Sequence, residues 1–336
     1  MSAGRTLRPG SDNFGLRRRG ACPRGGRPLV ILTQGGDKVS ESFAALDNEF
    51  AGIAESAAKA GLGNDAVPHV QRGWVTVPGD EHIGAVVWGS GSPEVAFVHE
   101  AGRSARAWDE VSLRLGRPSV AIDLPGHGRS DWRPDGRYEP RKLAGTLAEA
   151  IRSLAPRVGL VVGGGLGGRT SLALITTPRP AFLPRVALID TLPGTAAHGQ
   201  EAGAGAERFR SRDEAVALLA ARHPEWRKPV LHREIDCELI QDPDGSWKWR
   251  HHVGNLDGAV DPHFDDVTLW EELAGLENPA FVIHGAHSGR LTATDLVDLE
   301  QRAPRVAVIT IPGAAEDVVA SEPARLASEL SRLAGA

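Results

Sequence analysis

Eight short apolar runs constrain the fold of this chain more than any other feature. They read WVTV (74–77), GAVVW (84–88), EVAFVH (94–99), SVAIDL (119–124), GLVVG (159–163), RVALID (185–190), AFVIHG (280–285) and RVAVITI (305–311). Most are apolar almost without interruption, as a strand covered on both faces must be. Helical periodicity fills most of the gaps, notably over 141–154 and 323–333. Alternating strand and helix predicts a mostly parallel, twisted sheet with helices on both faces, an α/β fold. Pro78, Gly79 and Asp80 separate the first two runs and predict an antiparallel hairpin.

The rhythm breaks once. Some ninety residues lie between Asp190 and Ala280, with helical patterns over 212–222 and 265–273 and a turn followed by an extended piece in DPDGSWKWR (242–250). An insertion of that length between core strands predicts a helical lid over 191–278, above a site at the strand ends. The core is then 71–190 with 279–336. Residues 28–70 read as a helical extension, because Phe43, Leu46, Phe50, Ile53 and Ala57 recur at helical spacing before Gly61 and Gly63. Residues 1–27, rich in Arg, Gly and Pro, read as a disordered basic tail.

The whole-chain charge of −5 offers no footprint for nucleic acid. No apolar run is long enough to span a bilayer. The chain has 2 cysteines, which predicts a reducing, cytoplasmic setting rather than a disulfide framework. His251, His252, His263, His284 and His287 match no metal-ligand spacing, so no metal is expected. Gly163 to Gly168 formally satisfy a dinucleotide glycine pattern, but no acidic residue closes a following strand in the required order, so no cofactor is expected either. The expected partner is a small-molecule ligand; self-association stays open.

Four landmarks, in order, resemble the α/β-hydrolase fold superfamily, in its actinobacterial esterase and epoxide-hydrolase-like branch. They are FVHEAG (97–102) at the oxyanion loop, DLPGHGRSDW (123–132) after the fourth strand, VVGGGLGGRTSL (161–172) at the nucleophile elbow and TIPGAAED (310–317) at the histidine loop. The resemblance spans 74 to the C-terminus. It places Gly165 where the family carries its nucleophile and Glu316 where it carries histidine. Glu100 stands at a glycine of the oxyanion loop, and Asp190 at one of the two family positions for the acid. A glycine has no side chain to attack with, so the resemblance implies a degraded triad and not a conventional Ser-His-Asp hydrolase.

Glu100, Glu316 and Asp190 are the candidate catalytic residues. Carboxylates gathered at the carboxyl ends of such strands drive one another's pKa values apart and can share acid–base work. Ala101, Gly164, Gly165, Leu166 and Asp317 are the candidate substrate contacts, with the elbow amides at a helix N-terminus suited to a polarised carbonyl. The plainer readings make Glu316 a solvated loop residue, Glu100 a partner of Arg103 or Arg106, and Asp190 a hydrogen-bonding remnant. His99 and His127 read as scaffold, and Trp247 and Trp249 as lid core. The leading expectation is a cofactor-free lyase, isomerase or cyclase acting on a small, specialised metabolite, without ordinary esterase activity. Two alternatives stand beside it: a pseudoenzyme that binds a ligand or protein, and a hydrolase that activates water directly with a carboxylate.

Overall fold

The computed structural model describes residues 49–63, 66–176, 184–195, 208–224, 226–252, 266–315 and 317–335. All lie within one unit, Leu32–Ala336. The expected basic tail, most of the N-terminal helical segment, and Glu316 fall outside the described residues.

Each of the eight apolar runs forms a strand. β1 (Val70–Val77), β2 (Glu81–Trp88), β3 (Val95–Val98), β4 (Ser119–Ile122), β5 (Leu160–Gly164), β6 (Arg185–Ile189), β10 (Ala280–Gly285) and β11 (Ala307–Ile311) make one sheet. Its order is β1-β2-β4-β3-β5-β6-β10-β11. β2 runs antiparallel to both neighbours, and every pair from β4 to β11 is parallel. The α/β-hydrolase architecture inferred from the sequence is therefore the one observed.

Alternation along each strand builds two core layers. Ala96, Val98, Val161, Leu188 and Val282 enter one layer, and Val95, Phe97, Val162, Ile189 and Ile283 the other. Side chains of successive strand residues point to opposite faces, so strands buried on both sides need apolar residues at nearly every position. On the first face lie α3 (Pro140–Leu154) and α4 (Gly165–Thr176); on the second lie α2 (Asp109–Leu115) and α10 (Pro323–Gly335). α3 starts at Pro140, which lacks only an N–H that the first turn leaves unpaired anyway. It buries Leu143, Ala144, Leu147, Ala150 and Ile151 at three- and four-residue spacing. At the other end of the described chain, α1 (Ile53–Lys59) buries Ile53 and Ala57.

Between β6 and β10 the described residues form α5 (Arg212–Arg222), α6 (Lys228–Glu238) and α7 (Asp266–Gly275). They are accompanied by a three-stranded antiparallel sheet of β7 (Arg208–Phe209), β8 (Leu239–Gln241) and β9 (Trp247–Trp249). Its core holds Phe209, Ala215, Ile235, Leu239 and Trp249, with Trp247 packed against it. The short helices α8 (Ala293–Arg302) and α9 (Val318–Ser321) complete the fold. The His252 amide donates to the Gly126 carbonyl at 2.8 Å, and Trp132 stacks on the His252 ring at 4.5 Å. These contacts tie the residues after β9 to the loop after β4.

Candidate active site

The strand ends bring together what the sequence scatters. β5 turns into α4 at Gly165, whose φ of 50° lies in the left-handed region. A Cβ on Gly167 would stand 2.4 Å from the Val98 carbonyl oxygen, so this turn rests backbone against backbone on the end of β3. The Gly165 amide is already used, donating to the Thr191 hydroxyl at 2.7 Å. The Thr191 hydroxyl in turn donates to Ile189 O at 2.7 Å, and the Ser171 hydroxyl to Gly167 O at 2.7 Å. The Thr191 and Ser171 hydroxyls are thus buried and engaged.

Glu100 leans over the elbow. A Cβ on Gly164 would meet Glu100 Oε1 at 2.9 Å, and one on Gly165 would meet Glu100 Cγ at 3.3 Å. Its partner is neither Arg103 nor Arg106 but Arg290, which donates to Oε1 at 2.5 Å from the loop after β10. Both side chains are largely buried. Ala101 and Leu166, the neighbouring candidate contacts, are buried as well.

Asp190 ends β6, beside the elbow. It is 4% exposed and has a φ of 44°, one of two non-glycine residues with positive φ among those described. Such backbone strain in a non-glycine residue is concentrated at functional sites. Burial pushes its pKa up to about 7; Arg290 opposes that rise and Glu100 adds to it. The Gly285 amide and Ser288 hydroxyl lie close enough to favour ionisation, yet neither carboxylate oxygen closes a well-formed hydrogen bond. Asp190 is thus a buried carboxyl whose pKa burial raises to about 7.

Asp317 is placed differently. It accepts from Arg103 at 3.0 Å and from the Ala320 amide at 3.0 Å, capping α9. Burial favours its protonated form, but Arg103, Arg290 and the Ala320 amide outweigh burial and hold its pKa below the usual range. Both of its carboxylate oxygens are thus engaged.

The inserted segment supplies residues that the sequence reading did not single out. Glu234 and Glu238 stand one turn apart on α6 and are both buried. Glu234 accepts from Arg103 at 2.8 Å, so Arg103 bridges α6 to Asp317. Glu238 accepts from the Ser104 hydroxyl at 2.6 Å. Burial, then the neighbouring Glu234, pushes the Glu238 pKa up to about 8. The two carboxylates at i and i+4 were the available signal, since a spacing of four places them on one face.

The scaffold histidines take the structural places expected of them. His99 Nδ1 donates to Glu100 O at 2.7 Å, while Nε2 accepts from the Leu124 amide at 2.9 Å. His127 Nδ1 donates to Pro125 O at 3.0 Å. Burial lowers the pKa of both rings, most strongly for His127. Among the described residues no cluster of three or more His, Cys, Asp or Glu is arranged to hold a metal ion.

A sheet of this order, a glycine elbow leading into α4, and a segment inserted between β6 and β10 define an α/β-hydrolase. The chain belongs to the alpha/beta hydrolase family, whose model matches residues 75–329. It is 32% identical over 302 residues to the esterase Rv0045c of Mycobacterium tuberculosis, covering 87% of this chain and 97% of that protein. The crystal structure of that esterase gives a TM-score of 0.73 at 31% identity, over 86% of this chain and 98% of the other. A 2-(acetamidomethylene)succinate hydrolase of Mesorhizobium japonicum is 25% identical over 244 residues, covering 67% of this chain and 82% of that protein.

These relatives correct the leading functional expectation. Their names are those of an esterase and a hydrolase, which overturns the reading as a lyase, isomerase or cyclase and the reading as a pseudoenzyme. The glycine at 165, where the resemblance places the nucleophile, suggested non-hydrolytic chemistry because it has no side chain to attack with. It does not remove the means of activating water. No helix among the described residues is long and apolar enough to cross a membrane.

Proposed function

We propose that this chain is a hydrolase of small-molecule carboxylic esters or related acyl compounds, in which a carboxylate activates water in place of a serine nucleophile. The observation that carries the proposal is Asp190: buried, beside an elbow without a side chain, with a pKa of about 7 and no well-formed hydrogen bond on either oxygen. A general base is most effective when its pKa lies near the working pH. In this reading Asp190 takes a proton from water as the water attacks the acyl carbon. Negative charge then develops on the carbonyl oxygen, and the Arg290 guanidinium together with the N-terminal end of α4 stabilises it. Glu100 orients Arg290 through their ion pair. Glu316, which precedes Asp317 in the sequence and lies outside the described residues, is the candidate acid that protonates the leaving alkoxide. The acyl specificity follows the names of the relatives, and the two-cysteine composition supports a cytoplasmic setting.

Those same relatives also support a second reading, a conventional hydrolase whose hydroxyl nucleophile stands away from position 165. A panel of activated short-chain esters, assayed with and without a serine-directed fluorophosphonate, separates the two. Water activation predicts acid release without labelling. Stoichiometric labelling that abolishes turnover supports the second reading, and no turnover on any acyl substrate overturns both.

A further inference from the structure

We infer that a second cavity, apart from the elbow, binds a small oxyanion such as a carboxylate or phosphate group. The cavity holds about 480 Å³ and lies between the segment preceding α1, the loop after β4, and α6 with the turn after β9. None of Glu100, Gly165, Asp190 or Arg290 lines it. Five arginines do: Arg72, Arg106, Arg129, Arg233 and Arg250.

Four of the five are answered by carboxylates. Arg72 donates to Asp123 at 2.9 Å and to Glu49. Arg106 donates to Asp109 at 2.5 Å, and Arg129 stands 3.6 Å from Glu49. Arg233 lies 3.6 Å from both Glu110 and Glu234. A further acid on the wall, Asp236, is taken by Arg212, which is not on the wall.

Arg250 is the exception. Its backbone amide donates to Glu238 O and its carbonyl accepts from Trp132, but its guanidinium has no hydrogen bond or ion pair among the described residues. Burial, and then the charge of Arg129, outweigh the attraction of Glu238 and Glu49 and leave its pKa below the ordinary arginine value. A largely desolvated guanidinium with no hydrogen bond of its own is costly, and the planar fork of five N–H donors matches a carboxylate or phosphate edge. The partner for that fork is a ligand's oxyanion, received by Arg250 in the cavity.

The test is titration calorimetry on the full chain with inorganic phosphate, acetate and succinate at matched ionic strength, with chloride as the control. The site predicts saturable 1:1 binding of phosphate or of a carboxylate, and the preferred arm names the ligand class. Arg250→Gln weakens that binding at least 10-fold, and Arg250→Lys, which loses the fork but keeps the charge, weakens it less. Arg250→Gln also melts no lower than wild type in anion-free buffer, because burial and Arg129 outweigh the carboxylates that favour the charge. The inference is overturned if none of the three anions binds saturably, if Arg250→Gln binds as well as wild type, or if Arg250→Gln fails to fold.

Discussion

Glu100 and Arg290, 190 residues apart, meet at 2.5 Å above the glycines of the elbow, where a Cβ on Gly164 or Gly165 would touch the Glu100 side chain. The pair occupies the side of the elbow that faces the strand ends. It gives a reason for small residues at 164 and 165 beyond backbone conformation alone.

Breaking the pair from one side leaves the other charge largely buried. Arg290→Met is expected to destabilise the fold by about 2–3 kcal/mol and to lower kcat/KM by roughly 10- to 100-fold. Combining it with Glu100→Gln should recover at least ~1 kcal/mol of that loss, because the two sites are in contact and not additive. Urea denaturation of the two single variants and the double variant measures the coupling.

The glycines at 167 and 145 should respond in opposite ways. A methyl group at 167 would stand 2.4 Å from Val98 O and 2.5 Å from His99 O, so Gly167→Ala must push α4 off β3. It is expected to cost about 3 kcal/mol or more, or to prevent folding. Gly145 lies mid-helix in α3, exposed, with open space around its Cα. Gly145→Ala should therefore stabilise the protein by about 0.5–1 kcal/mol through helix propensity. Thermal melts of both variants check the contrast.

Stability should fall as pH rises through neutrality. Asp190 is raised from 3.8 to about 7 and Glu238 from 4.5 to about 8, so between those limits the native state holds protons that the unfolded chain has released. The stability tied to each group is complete below its unfolded value and is lost as pH climbs through its folded value. Each contributes a slope of up to ~1.4 kcal/mol per pH unit within its window. Glu238→Gln should remove its share of the slope between pH 5 and 8. Asp317 and Glu49 work in the opposite sense: their pKa values are lowered, so their contribution is lost only in acid. Denaturation midpoints across pH 4 to 9 test the sign.

The sheet was legible because strands buried on both faces must be apolar along their length, and EVAFVH or RVALID satisfies little else. The elbow was legible for a steric reason, since the packing of Gly167 on Val98 and His99 tolerates no side chain. The ion pairs were not legible. Nothing local links Glu100 to Arg290, or Arg103 to Glu234 and Asp317, until the topology brings β3, β10, β11 and α6 to one edge. Asp190 could be read as an acid by resemblance, but its raised pKa arises from burial and from Arg290 and Glu100, which are tertiary facts. Of the small sheet only β9 was legible, as the extended piece in 242–250; β7 and β8 were not, because strands of two or three residues carry no readable periodicity.

The function assignment failed at an identifiable step. Position 165, where the resemblance places the nucleophile, is a glycine, and that was extended to the loss of hydrolysis. The similarity to an esterase and a hydrolase removes the extension and leaves the glycine. In the proposed reading, Asp190 reconciles the two.

The pH dependence of kcat/KM for a turned-over acyl substrate, measured for wild type and Asp190→Asn, tests the central claim most directly. Water activation by Asp190 predicts a wild-type profile that rises with pH through an apparent pKa near 7. It predicts that Asp190→Asn loses ~10²- to 10⁴-fold in kcat/KM together with that rise, while remaining folded. An Asp190→Asn variant with wild-type activity and an unchanged profile would contradict the account.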